Sequence, residues 1–219
     1  MDTAKNKTET AAASAIGEVM SSTITNLIGE TWNSNKDEKT KNANSIRPRF
    51  GSFIKVVCVG SDSEVFAVVY DVVTGPQDTI HKPSALGMSR EELRLKQPHI
   101  FSLLKTELNA TIIGFKDGQG NYFQALPPNA PEVHDFIYPA SAKDVSALTG
   151  DFDFLRLLMD ISKVPPDELI AATIREARNI TGQGEDFLIR AGQALSKMLR
   201  SDYERLIYIL RKIKPQESR

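Results

Sequence analysis

A chain of 219 residues with 27 Lys+Arg, 28 Asp+Glu and a net charge of −1 is long enough to bury a core without disulfide or metal staples. Its near-neutrality excludes a molecule-wide attraction to polyanions and leaves only local patches. One cysteine, Cys58, excludes an internal disulfide and fits a reducing, cytoplasmic home. No run is long and apolar enough to form a membrane-spanning helix, and the polar N-terminus lacks the apolar stretch of a signal peptide.

Residues 1–13 are rich in Lys, Thr, Glu and Ala and read as a disordered tail. Ala15–Met20 and Ile24–Trp32 read as strands, with a bend or bulge at Ser21-Ser22-Thr23. Asn33–Asn44 is almost wholly polar and offers no apolar area to offset its ordering, so it reads as a loop. Phe50–Gly60 and Glu64–Val73 form the densest β signal, β-branched and aromatic, joined by the turn formers Gly60-Ser61-Asp62-Ser63. Ser89 and Glu92 have the spacing of a capping box and start a short helix, with Ile100, Phe101, Leu103 and Leu104 expected to pack on the sheet. Ala110–Phe115 and Tyr122–Leu126 make a second hairpin around Asp117–Asn121, and Asp135–Tyr138 a last strand.

From Ser141 the apolar period changes from two to 3.6. Ser141 caps a short helix and Asp151 caps the next, Phe152–Ile161. Pro165-Pro166-Asp167-Glu168 opens a third, with Leu169, Ile170, Ile174 and Ala177 on one face. Gly182-Gln183-Gly184 is a turn, followed by a helix over Glu185–Arg200. Ser201–Glu204 reads as a capping box for a final helix presenting Leu206, Ile207, Leu210 and Ile213. The fold class is therefore α+β: a small β-barrel of about six strands over residues 14–140, then a bundle of about four helices over 141–214, with a tail at 215–219.

Three stretches of the strand region resemble the HAS barrel. That small barrel is shared by HerA-type DNA-translocating ATPases and the N-terminal crown of rotary ATP synthase head subunits. The stretches are Ile16–Thr23, then Pro48–Val56 with its Phe50-Gly51-Ser52, then Val65–Val72, where Ala67 replaces the usual glycine. The resemblance covers residues 15–75 and, more loosely, extends to 140. It implies side-by-side packing of barrels or docking on a partner ATPase. A HerA-type motor would need a Gly-x-x-x-x-Gly-Lys-Ser/Thr phosphate loop. No such run occurs, and the helical region is too short for a RecA-like core.

No residue set points to catalysis, a metal or a cofactor. His81, His99 and His134 lack ligand spacing, and Cys58 sits within an apolar strand, where a thiol is structural. Glu91 with Glu92 and Asp167 with Glu168 sit where helix starts favour acids. Arg47, Arg49, Arg205, Arg211, Lys212 and Lys214 are the candidate nucleic-acid contacts, weighed against solvated helix-end charge. Phe50, Phe53, Phe66 and Phe115 could stack bases, weighed against core packing. The expectation is a non-catalytic interaction or assembly module, bound to a protein partner or to itself. The alternative is a nucleic-acid-binding accessory protein using the barrel and the basic C-terminal helix.

Overall fold

The computed structural model describes residues 14–32, 47–77 and 84–214. The readings made for the two tails, for Asn33–Asn44 and for His81 fall outside these residues. Seven strands are present among them: β1 Gly17–Ser22, β2 Asn26–Thr31, β3 Phe53–Cys58, β4 Ser63–Pro76, β5 Leu104–Lys116, β6 Tyr122–Phe123 and β7 Phe136–Pro139. Two short helices, α1 Arg90–Lys96 and α2 His99–Ser102, join β4 to β5. Five helices follow β7: α3 Ala142–Leu148, α4 Leu155–Met159, α5 Pro166–Thr181, α6 Glu185–Met198 and α7 Tyr203–Ile213.

The strands run β2-β1-β7-β3-β4-β5, and β5 pairs back onto β2, so six antiparallel strands close into a barrel. Closure removes most of the free edges that an open sheet would carry. β6 is a two-residue appendage on β5. The alternation of β4 explains its unbroken apolar run. Val65, Ala67 and Val69 fill the barrel with Val19, Leu27, Val56, Leu108, Ala110 and Ile137. Phe66, Val68 and Tyr70 point outward and join a second core with the helices. A strand buried on both faces cannot show polar–apolar alternation.

The second core joins barrel to bundle. Phe53, Phe66, Val68, Tyr70 and Ile113 meet Val145, Leu148, Phe154, Leu169, Ile174, Phe187, Leu195 and Ile209. Gly51 sets the closest approach, at φ +82°, where a Cβ would stand 2.8 Å from the Ala172 carbonyl carbon and the Thr173 nitrogen of α5. Only glycine combines that backbone with that contact. Its N–H donates to the Val69 carbonyl at 2.8 Å, the last tie between this chain segment and β4.

Several local expectations change. β5 begins six residues earlier than Ala110, at Leu104, because Lys105 to Asn109 pair with Asp71 to Gly75 of β4. The Ser89 capping box forms, with Glu92 N–H on Ser89 Oγ at 3.2 Å and Ser89 N–H on Glu92 Oε2 at 2.9 Å. Phe101 is buried as expected, but Leu103 is 55% exposed. Asp151 does not cap α4, which starts at Leu155 without a side-chain cap. Asp202, not Ser201, caps α7, accepting from Arg205 N–H at 3.1 Å. α7 buries Ile209 in place of Ile207, since 206, 209 and 213 share a face at helical spacing.

On the outer barrel surface, register alone lines up three glutamates. Glu18 of β1 lies opposite Glu30 of β2, and Glu30 opposite Glu107 of β5. Val73 of β4 ends the row beside Glu107. His134 Nδ1 meets Glu18 at 2.8 Å at one end, and Lys105 Nζ meets Glu107 at 2.8 Å at the other.

Candidate interaction surface

α5 and α7 pack against each other with their first turns side by side, Arg205 beside Asp167. The amphipathic pattern of α7 turns Leu206, Ile209 and Ile213 inward. That leaves Tyr203 70% exposed and Tyr208 44% exposed, with Ile207 between them. Pro165 and Pro166 enter α5 opposite, and the two helices bound a groove of about 730 Å³ lined by Pro165, Pro166, Tyr203, Ile207, Tyr208 and Arg211.

The ionic groups around this groove are largely satisfied within the chain. Arg205 Nε meets Asp167 Oδ1 at 2.6 Å, and Lys212 Nζ meets Glu168 Oε1 at 2.9 Å. The Tyr208 hydroxyl also donates to Glu168. These two donors, the tyrosine first, hold the Glu168 carboxyl below the usual range. The same hydrogen bond holds the Tyr208 hydroxyl above its usual range, and the carboxylate does likewise for Lys212. Arg175 Nη1 donates to the Lys212 carbonyl at 2.5 Å and ties the end of α7 to α5. Arg49 reaches α5 from the β2–β3 connection and pairs with Glu176 at 2.5 Å.

Of the six cations read from the sequence, Arg49, Arg205, Arg211 and Lys212 lie beside α5, but not as a free basic stripe. Arg49, Arg205 and Lys212 each face a carboxylate. Arg47, Arg211 and Lys214 are exposed and have no ion pair among the described residues. Phe53 and Phe66 are buried, Phe115 packs against the barrel interior, and Phe50 is 40% exposed in the turn before β3. The sequence reading missed Tyr203 and Tyr208; the available signal was two aromatics lying off the apolar stripe of an amphipathic helix.

Asp144, 4% exposed, accepts from Ser141 Oγ at 2.6 Å, from Ser141 N–H at 3.1 Å and from the Tyr122 hydroxyl at 2.8 Å, with Lys55 Nζ at 3.6 Å. Burial pushes this carboxyl up, yet the donors outweigh it and hold it below its ordinary value. Burial and the same hydrogen bond push Tyr122 up to about 12. Cys58 is buried at the barrel mouth, where burial and the Asp135 carboxylate push its thiol up to about 12, so it stays protonated. No His/Cys/Asp/Glu group among the described residues has metal-site geometry, and no helix there is long and apolar enough to cross a membrane. Comparison with protein-family models and with curated proteins found no match to this chain.

Proposed function

We propose that this protein is a non-catalytic interaction or assembly module that docks a protein partner on the α5–α7 face. One observation carries the reading: Tyr203 and Tyr208 are exposed beside the half-buried Ile207 and two prolines, while Arg205 and Lys212 next to them are paired within the chain. Tyrosines are rigid, amphipathic and enriched at the energetic centres of interfaces. Internal pairing of Arg205 and Lys212 means a partner need not neutralise those two, and Arg211 is left to meet an acceptor on the partner. The strand-region resemblance adds a finer proposal, that the barrel is of the HAS type and the partner is an ATPase. The six-strand antiparallel barrel is compatible with that.

The test is affinity capture with the full chain and with Tyr203→Ala/Tyr208→Ala, at low and at moderate salt. A stoichiometric partner held at moderate salt by the wild type, and at least tenfold less by the double variant, supports the reading. Partners captured equally by both overturn it.

The nucleic-acid alternative keeps Arg47, Arg211 and Lys214 as its contacts. It predicts nucleic-acid binding that falls steeply with salt and is lost when these three become alanine. No binding at low ionic strength removes it.

A further inference from the structure

The barrel is closed, but one stretch of β4 runs beyond it. Toward its N-terminus the β3 segment leaves β4 after two bonds to Val69, whose N–H donates to the Ser52 carbonyl at 2.9 Å and whose carbonyl accepts from Gly51 N–H at 2.8 Å. Gly51 then turns the chain onto α5, so Asp71–Pro76 has β5 on one side and, among the described residues, no strand on the other. The register tells which backbone groups face outward. Gln77 N–H donates to the Leu103 carbonyl at 2.7 Å, and Gln77 and Leu103 continue the pairing that sets Gly75 opposite Lys105 and Val73 opposite Glu107. In an antiparallel ladder alternate residues share the same bonding direction. Residues 71, 73 and 75 therefore bond to β5, and Val72 and Thr74 present N–H and C=O to the open edge. The extra residue at Tyr70 bounds this edge at one end, and Pro76, which has no N–H, bounds it at the other.

This short edge is complementary to itself. Set antiparallel about a two-fold axis at Val73, Val72 of one copy faces Thr74 of the other and exchanges both backbone hydrogen bonds, twice by symmetry. Val73 meets its own image, and it is 47% exposed here. Asp71 falls opposite Gly75, so no like charges oppose. An open edge carrying an apolar centre and no lysine is a template for strand addition. We propose that two copies of this chain pair through the Asp71–Pro76 edges of β4, joining two barrels by a continuous sheet. This deepens the assembly reading by naming a second copy as one partner, on a surface separate from the α5–α7 face.

Sedimentation or light scattering of the full chain over a range of concentrations reads the association directly. Val73→Lys places two ammonium groups across the axis, while in the monomer the new side chain lies beside Glu107 and leaves the fold intact, as circular dichroism checks. It should weaken the dimer at least tenfold. Val73→Cys should form a symmetric disulfide under mild oxidation, because directly opposed, non-bonded residues stand about 4.5 Å apart at Cα. Val59→Cys, at an 86% exposed turn, is the control and should not cross-link as a dimer. A wild-type chain that stays monomeric overturns the inference, as does a dimer that Val73→Lys leaves intact. A monomer that still captures a partner through Tyr203 and Tyr208 overturns it while leaving the docking reading standing.

Discussion

Asp144 shows how one carboxylate fastens the bundle to the barrel. Its oxygens collect the N-terminal donors of α3 and, from the barrel side, Tyr122 and Lys55. Removing it leaves the half-buried Tyr122 hydroxyl and the Ser141 N–H at the start of α3 without their acceptor, and leaves Lys55 with Glu64 alone, at 3.4 Å. Asp144→Ala should therefore cost about 1–3 kcal/mol in denaturant unfolding. The pH dependence has a definite sign. The folded-state value lies below the ordinary 3.8, so the stabilisation is complete above that pH and is lost as pH falls through the folded value. The stability difference between wild type and Asp144→Ala should be constant near neutrality and should narrow below about pH 4. The sequence placed Ser141 and Asp144 at a helix start. It could not show Tyr122 arriving, because that contact depends on how the β5–β6 turn lies against α3.

At the scale of elements, legibility followed the number of faces a segment buries. β3 and β4 were legible because both are apolar over most of their length, and the inward and outward halves of β4 serve two cores. The first half of β5 was not, because Lys105, Thr106, Glu107 and Asn109 read as a polar linker until β4 and β2 flank them. α5 and α6 were legible from apolar spacing, with Gly182 at φ +63° closing α5 as a turn glycine does. α7 was displaced by one residue at its cap. The spacing of Ser201 and Glu204 matches a capping box, but Asp202 is an equally good cap and sits at the start of the register that buries Leu206, Ile209 and Ile213. Packing decided between them. Asp202→Ala should lower stability by about 1 kcal/mol, and Ser201→Ala by much less, in thermal or urea unfolding. Equal effects would mean that Ser201 shares the capping. Tyr203 and Tyr208 were illegible as a site for a related reason. Their exposure follows from which face α7 turns inward, and that depends on α5.

At the scale of the whole molecule, barrel and bundle are joined by a common core rather than by a linker. The outer faces of β3, β4 and β5 supply Phe53, Phe66, Val68, Tyr70 and Ile113 to it. The helices that carry the exposed tyrosines thus rest on a surface whose geometry the barrel fixes. The proposed docking face on α5 and α7 and the proposed pairing edge on β4 lie on different elements, so partner binding and self-association can coexist. Gly51 serves both arrangements, since the turn that brings the chain against α5 is the one that uncovers β4.

The row of Glu18, Glu30 and Glu107 has a different bearing. Like charges set directly opposite on neighbouring strands disfavour the folded state. Here the end members are met by His134 and Lys105, and the middle one lies between two of its own kind, offset only by its attraction to the more distant Lys105 ammonium. The fold therefore holds unspent stability that a single exchange can release. Glu30→Thr keeps strand propensity and should raise stability by about 0.5–1 kcal/mol. That corresponds to a rise in melting temperature of about 1–4 °C for a chain of this size. Sodium chloride should raise the melting temperature of the wild type more than that of the variant, because counter-ions already relieve in part what the exchange removes. A nearly neutral protein would then behave, along one flank, like a salt-requiring one.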